Sequence, residues 1–191
     1  MLKSLLISAI VAFSFADEKK DVNVDVESSS VKWVGKKVTG QHNGSISLKG
    51  GRLEMEDGQL VGGLFTIDMA SINVEDLSGG GKGKLEGHLK SDDFFGVEKF
   101  PSATFVITKA VPQGPGKYKI VGNITIKETT EEIQFPATVE EKDGKMIAKA
   151  DITIDRSKFN VRYGSGSFFD NLGDKTIYDN FDLSVELVAS L

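Results

Sequence analysis

Apolar and polar residues alternate with a period of two along most of the chain, a pattern typical of β-strands. Between residues 117 and 127, for example, Tyr118, Ile120 and Ile124 occupy even positions, while the odd positions are mostly polar. Such alternation gives each strand one face for water and one face for a core. The runs lie at residues 22–26, 31–38, 43–49, 61–69, 102–109, 117–127, 131–141, 145–155 and 181–187.

About nine one-faced strands predict an all-β, antiparallel domain. A sheet of this size must close on itself or fold into a sandwich to bury its apolar face. Asp57-Gly58 and Asp143-Gly144 lie between runs and predict tight hairpin turns. No linker or break in composition divides the chain, so we expect a single domain.

Two segments interrupt the alternation. The first, residues 74–97, contains a glycine-rich stretch that we expect to be a flexible loop over residues 79–84. A short helix is predicted after it, because Leu85, His88 and Leu89 share one helical face. The second segment, residues 162–178, is rich in Gly, Ser and Asp and predicts irregular structure.

Small residues such as Ala137 and Ala148 share the apolar faces with large aliphatic and aromatic residues. A barrel filled by its own side chains mixes large and small residues. A barrel that keeps an internal cavity also needs small residues around that cavity. The pattern alone does not distinguish a filled barrel from a barrel with a cavity.

The first sixteen residues predict a cleaved signal peptide, with the remaining domain covering residues 17–191. Lys3 precedes an apolar stretch, and Ser14-Phe15-Ala16 places small residues at the −3 and −1 positions of a cleavage site. We therefore expect cleavage after Ala16 and a periplasmic or secreted location in a bacterium. No other stretch is apolar enough for an integral membrane segment.

Composition narrows the chemistry. The chain has no Cys, which excludes disulfides, Cys-ligated metals and a thiol nucleophile. Its net charge of −5 argues against a nucleic-acid partner. The two histidines, His42 and His88, form no helical metal-binding pair, and no G-x-S-x-G motif is present. We therefore expect no metal site, no cofactor and no catalytic residue.

Read together, five motifs resemble the YceI-like family of lipocalin-like, polyisoprenoid-binding bacterial proteins. The resemblance covers roughly residues 22–187, and the stretch H-L-K-S-D-D-F-F followed by F-P-x-A-T-F is its most specific part. Where many members have Gly after the last motif, this chain has Asn160. The motifs are Trp33 with residues 40–44, then residues 62–68, 85–95, 100–105 and 154–159.

The resemblance implies an extended, eight-stranded antiparallel β-barrel with a short helix in one connection. It further implies a secreted lipid-binding protein that holds a polyisoprenoid or similar long-chain amphiphile in the barrel interior for transport or storage. The expected partner is that isoprenoid or lipid, and a homodimer is left open.

Strand face and closeness to the family motifs select candidate ligand contacts, with polar candidates for a head group. The tail candidates are Trp33, Phe65, Met69, Phe94, Phe105, Ile124, Phe135, Ile152, Phe159 and Tyr163. The head-group candidates are His42, His88 and Arg156.

Two other functions stay open at this point. One is an enzyme that acts on an isoprenoid or lipid, with His42 or His88 as acid or base. The other is an interaction protein with a filled barrel that binds only another protein.

Overall fold

A computed structural model of the chain describes residues 19–190. The predicted signal peptide lies outside the described residues, so its cleavage stays a prediction. Besides two 3₁₀ helices, Arg156–Phe159 and Gly173–Lys175, the described part contains nine strands and one α-helix. These are β1 (Lys19–Asn23), β2 (Ser30–Lys37), β3 (Gly40–Glu56), β4 (Gln59–Val74), α1 (Gly79–Lys90), β5 (Ser102–Gly114), β6 (Lys117–Ile126), β7 (Thr129–Lys142), β8 (Lys145–Asp155) and β9 (Ile177–Ser190).

Eight strands close into an antiparallel barrel, as the resemblance implies. The order is β3-β2-β9-β8-β7-β6-β5-β4, and β4 pairs again with β3 to complete the wall. The long β3 pairs with β2 through its first half and with β1 through its second half. Strand β1 thus extends the wall beyond the end of β2. In residues 19–190 no helix is long and apolar enough to cross a membrane.

Both predicted hairpin turns are confirmed. Asp57 and Gly58 have φ angles of 49° and 74°, and Asp143 and Gly144 have 52° and 71°. Positive φ at both central residues defines the type I′ turn, whose twist matches that of the flanking strands. These turns set the β3–β4 and β7–β8 registers.

Strand β3 runs further than the alternation predicts. The pattern ends at Lys49, but the strand continues through Gly50 and Gly51 to Glu56. The pairing with β4 shifts between Leu48 and Gly50, which marks a β-bulge. A bulge changes which alternate residues face inward. Leu53 is therefore buried although the alternation of the first half of β3 would place it on the outer face.

The loop predicted for residues 79–84 is wrong, because α1 begins at Gly79. Contacts with the barrel offset the poor helix propensity of glycine. Lys82 donates a hydrogen bond to Asn73 over 2.7 Å. Glu86 accepts one from the backbone N–H of Val74 over 2.9 Å, and this bond lowers the pKa of Glu86. The helix is thereby tied to the end of β4.

The buried side chains form two clusters inside the barrel. The first includes Leu53, Phe65 and Ile120, and the second includes Met69 and Phe94. Part-buried Phe105 packs against both clusters. The candidate site runs through both of them.

Candidate functional site

A cavity of about 230 Å³ lies inside the barrel, and its wall is almost entirely apolar. Side chains of β2 to β9 and of the segment after α1 line it. On β9 the lining runs from Ile177 to Leu187, which at about 3.3 Å per residue is roughly 33 Å of strand, or about 25 Å along the barrel axis at a strand tilt of about 40°. A small volume spread over this length makes a narrow tunnel, suited to a single hydrocarbon chain. The interior is therefore hollow rather than filled.

Three phenylalanines form a row along the tunnel wall. The ring centroids of Phe65 and Phe105 are 6.4 Å apart, and those of Phe105 and Phe135 are 5.6 Å apart. Gly122 on β6 makes room for this row, since a Cβ there would lie 2.5 Å from the ring of Phe105. The absence of a side chain at Gly122 lets the ring of Phe105 lie against the backbone of β6.

Trp33 is positioned by the close approach of its ring to the backbone of β3. Its strand partner on β3 is Gly44, where a Cβ would lie 2.6 Å from the indole ring. The indole N–H donates to the carbonyl oxygen of Ser45 over 3.2 Å. Because this polar atom is satisfied by the wall, Trp33 presents an apolar ring to the tunnel.

The segment after α1 closes part of one end. The backbone N–H of Phe95 donates to the carbonyl of Leu89 over 3.2 Å, and that of Val97 donates to Lys90 over 2.9 Å. These bonds turn the chain back toward the barrel after the helix. Leu89, Phe94 and Phe95 consequently border the tunnel.

Arg156 is the one arginine at the tunnel wall among the described residues, and it is only 2% exposed. Its guanidinium donates to the carbonyl oxygens of Val161, Ile177 and Tyr178 over 2.8, 2.9 and 3.2 Å. Burial lowers the pKa of Arg156, which the nearby Asp179 opposes. Because its donors are engaged by backbone carbonyls, Arg156 ties the turn at Val161 to the start of β9.

Asn160 follows the 3₁₀ turn that contains Arg156. It has a φ of 57°, in the left-handed region. Asn is one of the few non-glycine residues that adopt this conformation readily. Asn160 is therefore compatible with this turn, at a position where the resemblance implies Gly.

Eight of the ten predicted tail contacts border the tunnel, and two do not. Phe159 is 1% exposed and packs in the second core cluster, because its 3₁₀ turn presents Arg156 to the tunnel instead. Tyr163 is 49% exposed and its ring lies 4.4 Å from that of His88. The eight that border it are Trp33, Phe65, Met69, Phe94, Phe105, Ile124, Phe135 and Ile152.

Sequence reasoning missed other tunnel residues, such as Phe95, Phe181 and Leu183. The signal for the last two was present, since they lie on the apolar face of the predicted C-terminal strand. Phe95 had no periodic signal, because it follows a helix in an irregular segment.

Neither histidine borders the tunnel. His42 Nδ1 lies 2.8 Å from a carboxylate oxygen of Asp76 near the surface. His88 lies in the last turn of α1 between Tyr163 and Phe94. No cluster of three or more His, Cys, Asp or Glu that could hold a metal occurs in the part of the chain that the structure describes.

Comparison with known proteins shows which family has this architecture. The family model for the YceI-like domain matches residues 22–189. BcnA of Burkholderia cenocepacia has a TM-score of 0.72 and 27% identity, over 87% of this chain and 99% of that chain. A polyisoprenoid-binding domain from Saccharophagus degradans, implicated in plant cell wall breakdown, has a TM-score of 0.65 over 88% of this chain and 97% of that chain. At 12% identity, this second likeness shows the fold alone.

A relative in Staphylococcus aureus, a UPF0312 protein, is 33% identical over 105 residues. The match covers 51% of this chain and 55% of that relative. The chain thus matches little more than half of the staphylococcal protein. The family model, in contrast, spans nearly all of the described barrel, and the chain belongs to the YceI-like family.

Proposed function

We propose that this protein binds one polyisoprenoid or similar long-chain amphiphile in its tunnel and carries or stores it after export to the periplasm or the medium. The observation that carries the proposal is the narrow apolar cavity that runs along the barrel. A compact polar substrate would find almost no hydrogen-bonding partner on this wall.

The energetics fit a long chain. Each buried CH₂ contributes about 0.8 kcal/mol, so about ten carbons contribute roughly 8 kcal/mol. Association costs at least about 4 kcal/mol in lost translational and rotational freedom. A short tail would therefore bind weakly, and affinity should grow with chain length until the tunnel is full.

The family likeness supports the same class of ligand. The Saccharophagus domain of the same fold is described as polyisoprenoid-binding. No observation favours the enzyme alternative, because the two histidines on which it rests lie outside the tunnel wall. The alternative function, binding only another protein, goes with a filled barrel, whereas this barrel is hollow.

The single tryptophan, Trp33, makes the proposal directly testable. A dibrominated stearic acid should quench the fluorescence of Trp33 in delipidated protein, because bromine quenches indole only at close contact. The control variant moves the tryptophan to the surface, Trp33→Phe with Phe169→Trp, since Phe169 is 50% exposed and lies outside the tunnel. Saturable quenching in the wild type and none in the control is expected. Equal quenching in both, or none in either, would contradict the proposal.

A further inference from the structure

Strands β7 and β8 are neighbours in the barrel, yet their pairing is incomplete. The ladder runs from Lys142 opposite Lys145 to Ala137 opposite Ala150 and stops there. Both strands continue: β7 stays paired with β6 over residues 129–136, and β8 stays paired with β9 over residues 151–155. The wall therefore has a lateral slit between these two stretches.

Pro136 explains where the slit begins. Continued at the same register, the ladder would place Pro136 opposite Asp151. Proline has no N–H to donate and is confined to strand edges within sheets. The first half of β7 is thus an edge inside a closed barrel. Ile133 and Phe135 on its inner face are only half-buried, whereas their neighbour Ile120 on β6 is 2% exposed.

A groove on the outer surface lies over the start of the slit, beside Gln134, Pro136 and Asp151. Five residues border both the groove and the tunnel: Phe135, Ala137, Lys149, Ala150 and Val185. The groove carries four lysines and two carboxylates, a net charge of +2, on a chain whose net charge is −5. Its charged residues are Lys32, Lys117, Lys119, Lys149, Asp151 and Glu186.

Two of these lysines are available to a ligand. Lys149 pairs with Glu186 at 3.0 Å, and Lys32 pairs with Glu75 at 2.8 Å. Lys117 and Lys119 form no salt bridge within residues 19–190. Both are exposed on the outer face of β6, and Lys119 lies directly opposite Pro136.

We infer that the slit between β7 and β8 is the entrance of the tunnel, and that the ligand is a long chain with an anionic head group that stays in the groove beside Lys117 and Lys119. This inference rests on the proposed function. A slit lets the tail slide in sideways, whereas an opening at one end would require the whole chain to thread lengthwise. Entry through the slit breaks no ladder hydrogen bond, because none is formed there.

A reversible staple tests the entrance. The continued register would place Gln134 opposite Thr153, and both are exposed. The native chain has no Cys, so Gln134→Cys with Thr153→Cys introduces a single thiol pair across the slit. Oxidation, or a short bis-methanethiosulfonate where the thiols lie too far apart for a direct disulfide, joins the two strands through bonds that a reductant breaks. The matched control is Glu140→Cys with Ile147→Cys, on the same strands where the ladder is already formed and outside both the tunnel wall and the groove.

The readout is the rate at which dibrominated stearic acid quenches Trp33 on rapid mixing. Stapling the slit should slow association by about tenfold or more, and reduction of the disulfide should restore it. The control staple should change the rate by less than about twofold. An unchanged rate in the stapled slit variant, or equal slowing in both variants, would overturn the inference. Absence of quenching in the wild type would instead contradict the proposed function itself.

A second comparison tests the head-group chemistry. Lys117→Gln with Lys119→Gln should slow association of dibrominated stearate by about threefold or more at low salt. The methyl ester of the same acid, which is uncharged, should associate with both proteins at the same rate. Equal rates for stearate in the two proteins would overturn the assignment of an anionic head group to the groove.

Discussion

A phenylalanine in place of Ala148 tests whether the tunnel is an empty cavity in the ligand-free protein. Ala148 on β8 is 8% exposed and borders the tunnel, whereas Ala189 on β9 is fully buried in the same core cluster and does not border it. A ring added at Ala189 overpacks the core and should lower the free energy of unfolding by about 1–3 kcal/mol or more. A ring added at Ala148 can enter the tunnel, so the ligand-free protein should lose less than about 1 kcal/mol.

The effect on binding should be the reverse. If the new ring displaces three CH₂ groups of a bound chain, the loss is about 2.4 kcal/mol, which corresponds to roughly a 60-fold weaker affinity. Ala189→Phe should leave the affinity of the folded fraction unchanged. Ala137→Phe, on the neighbouring strand and also at the tunnel wall, should behave like Ala148→Phe.

The assay pairs urea denaturation of delipidated protein with titration of Trp33 fluorescence by dibrominated stearic acid. Comparable destabilisation by Ala148→Phe and Ala189→Phe, together with unchanged binding in Ala148→Phe, would refute the reasoning. It would mean that side chains already fill the barrel at this level.

Three further predictions follow from single contacts. Arg156→Met should lower the free energy of unfolding measured in urea by about 3–5 kcal/mol, because the buried carbonyls of Val161, Ile177 and Tyr178 lose their donor. Arg156→Lys should fail to restore the stability. A loss below about 1 kcal/mol would contradict this role. Because the pKa of Glu86 is lowered in the folded protein, the stability that its carboxylate contributes is fully present above the ordinary pKa of glutamate and is lost as pH falls through the folded-state pKa. Glu86→Gln should therefore reduce the acid sensitivity of the unfolding midpoint. Identical pH profiles would contradict it. His42→Ala and His88→Ala should each change stearate affinity by less than about tenfold, because apolar burial supplies most of the binding energy; a loss of about a thousandfold in either folded variant would indicate a site centred on that histidine.

The barrel was largely predictable because each strand buries one face. Alternation located strands such as β6 and β8, and the Asp-Gly pairs located the β3–β4 and β7–β8 turns. The second half of β3 was not predictable, because Gly50 and Gly51 carry no side-chain signal and the bulge there reverses the inward face. The start of α1 at Gly79 was missed because bonds to Asn73 and Val74, rather than helix propensity, determine it.

The candidate site was predictable in its composition and less so in its shape. Whether Ala137 and Ala148 border a cavity or a packed core depends on volumes summed over many strands, and no local pattern contains that sum. The slit did leave a sequence signal. Pro136 lies inside an alternating run, and proline there indicates an edge strand, but only the barrel shows that this edge faces a neighbour.

Organic extraction of the exported protein, followed by mass spectrometry, shows directly what the tunnel holds. We expect about one long-chain isoprenoid or fatty molecule per protein, and native mass spectrometry before extraction should show the protein at its bare mass plus that molecule. Protein that emerges at its bare mass, yields no long-chain molecule on extraction and shows no quenching of Trp33 by dibrominated stearic acid would contradict it.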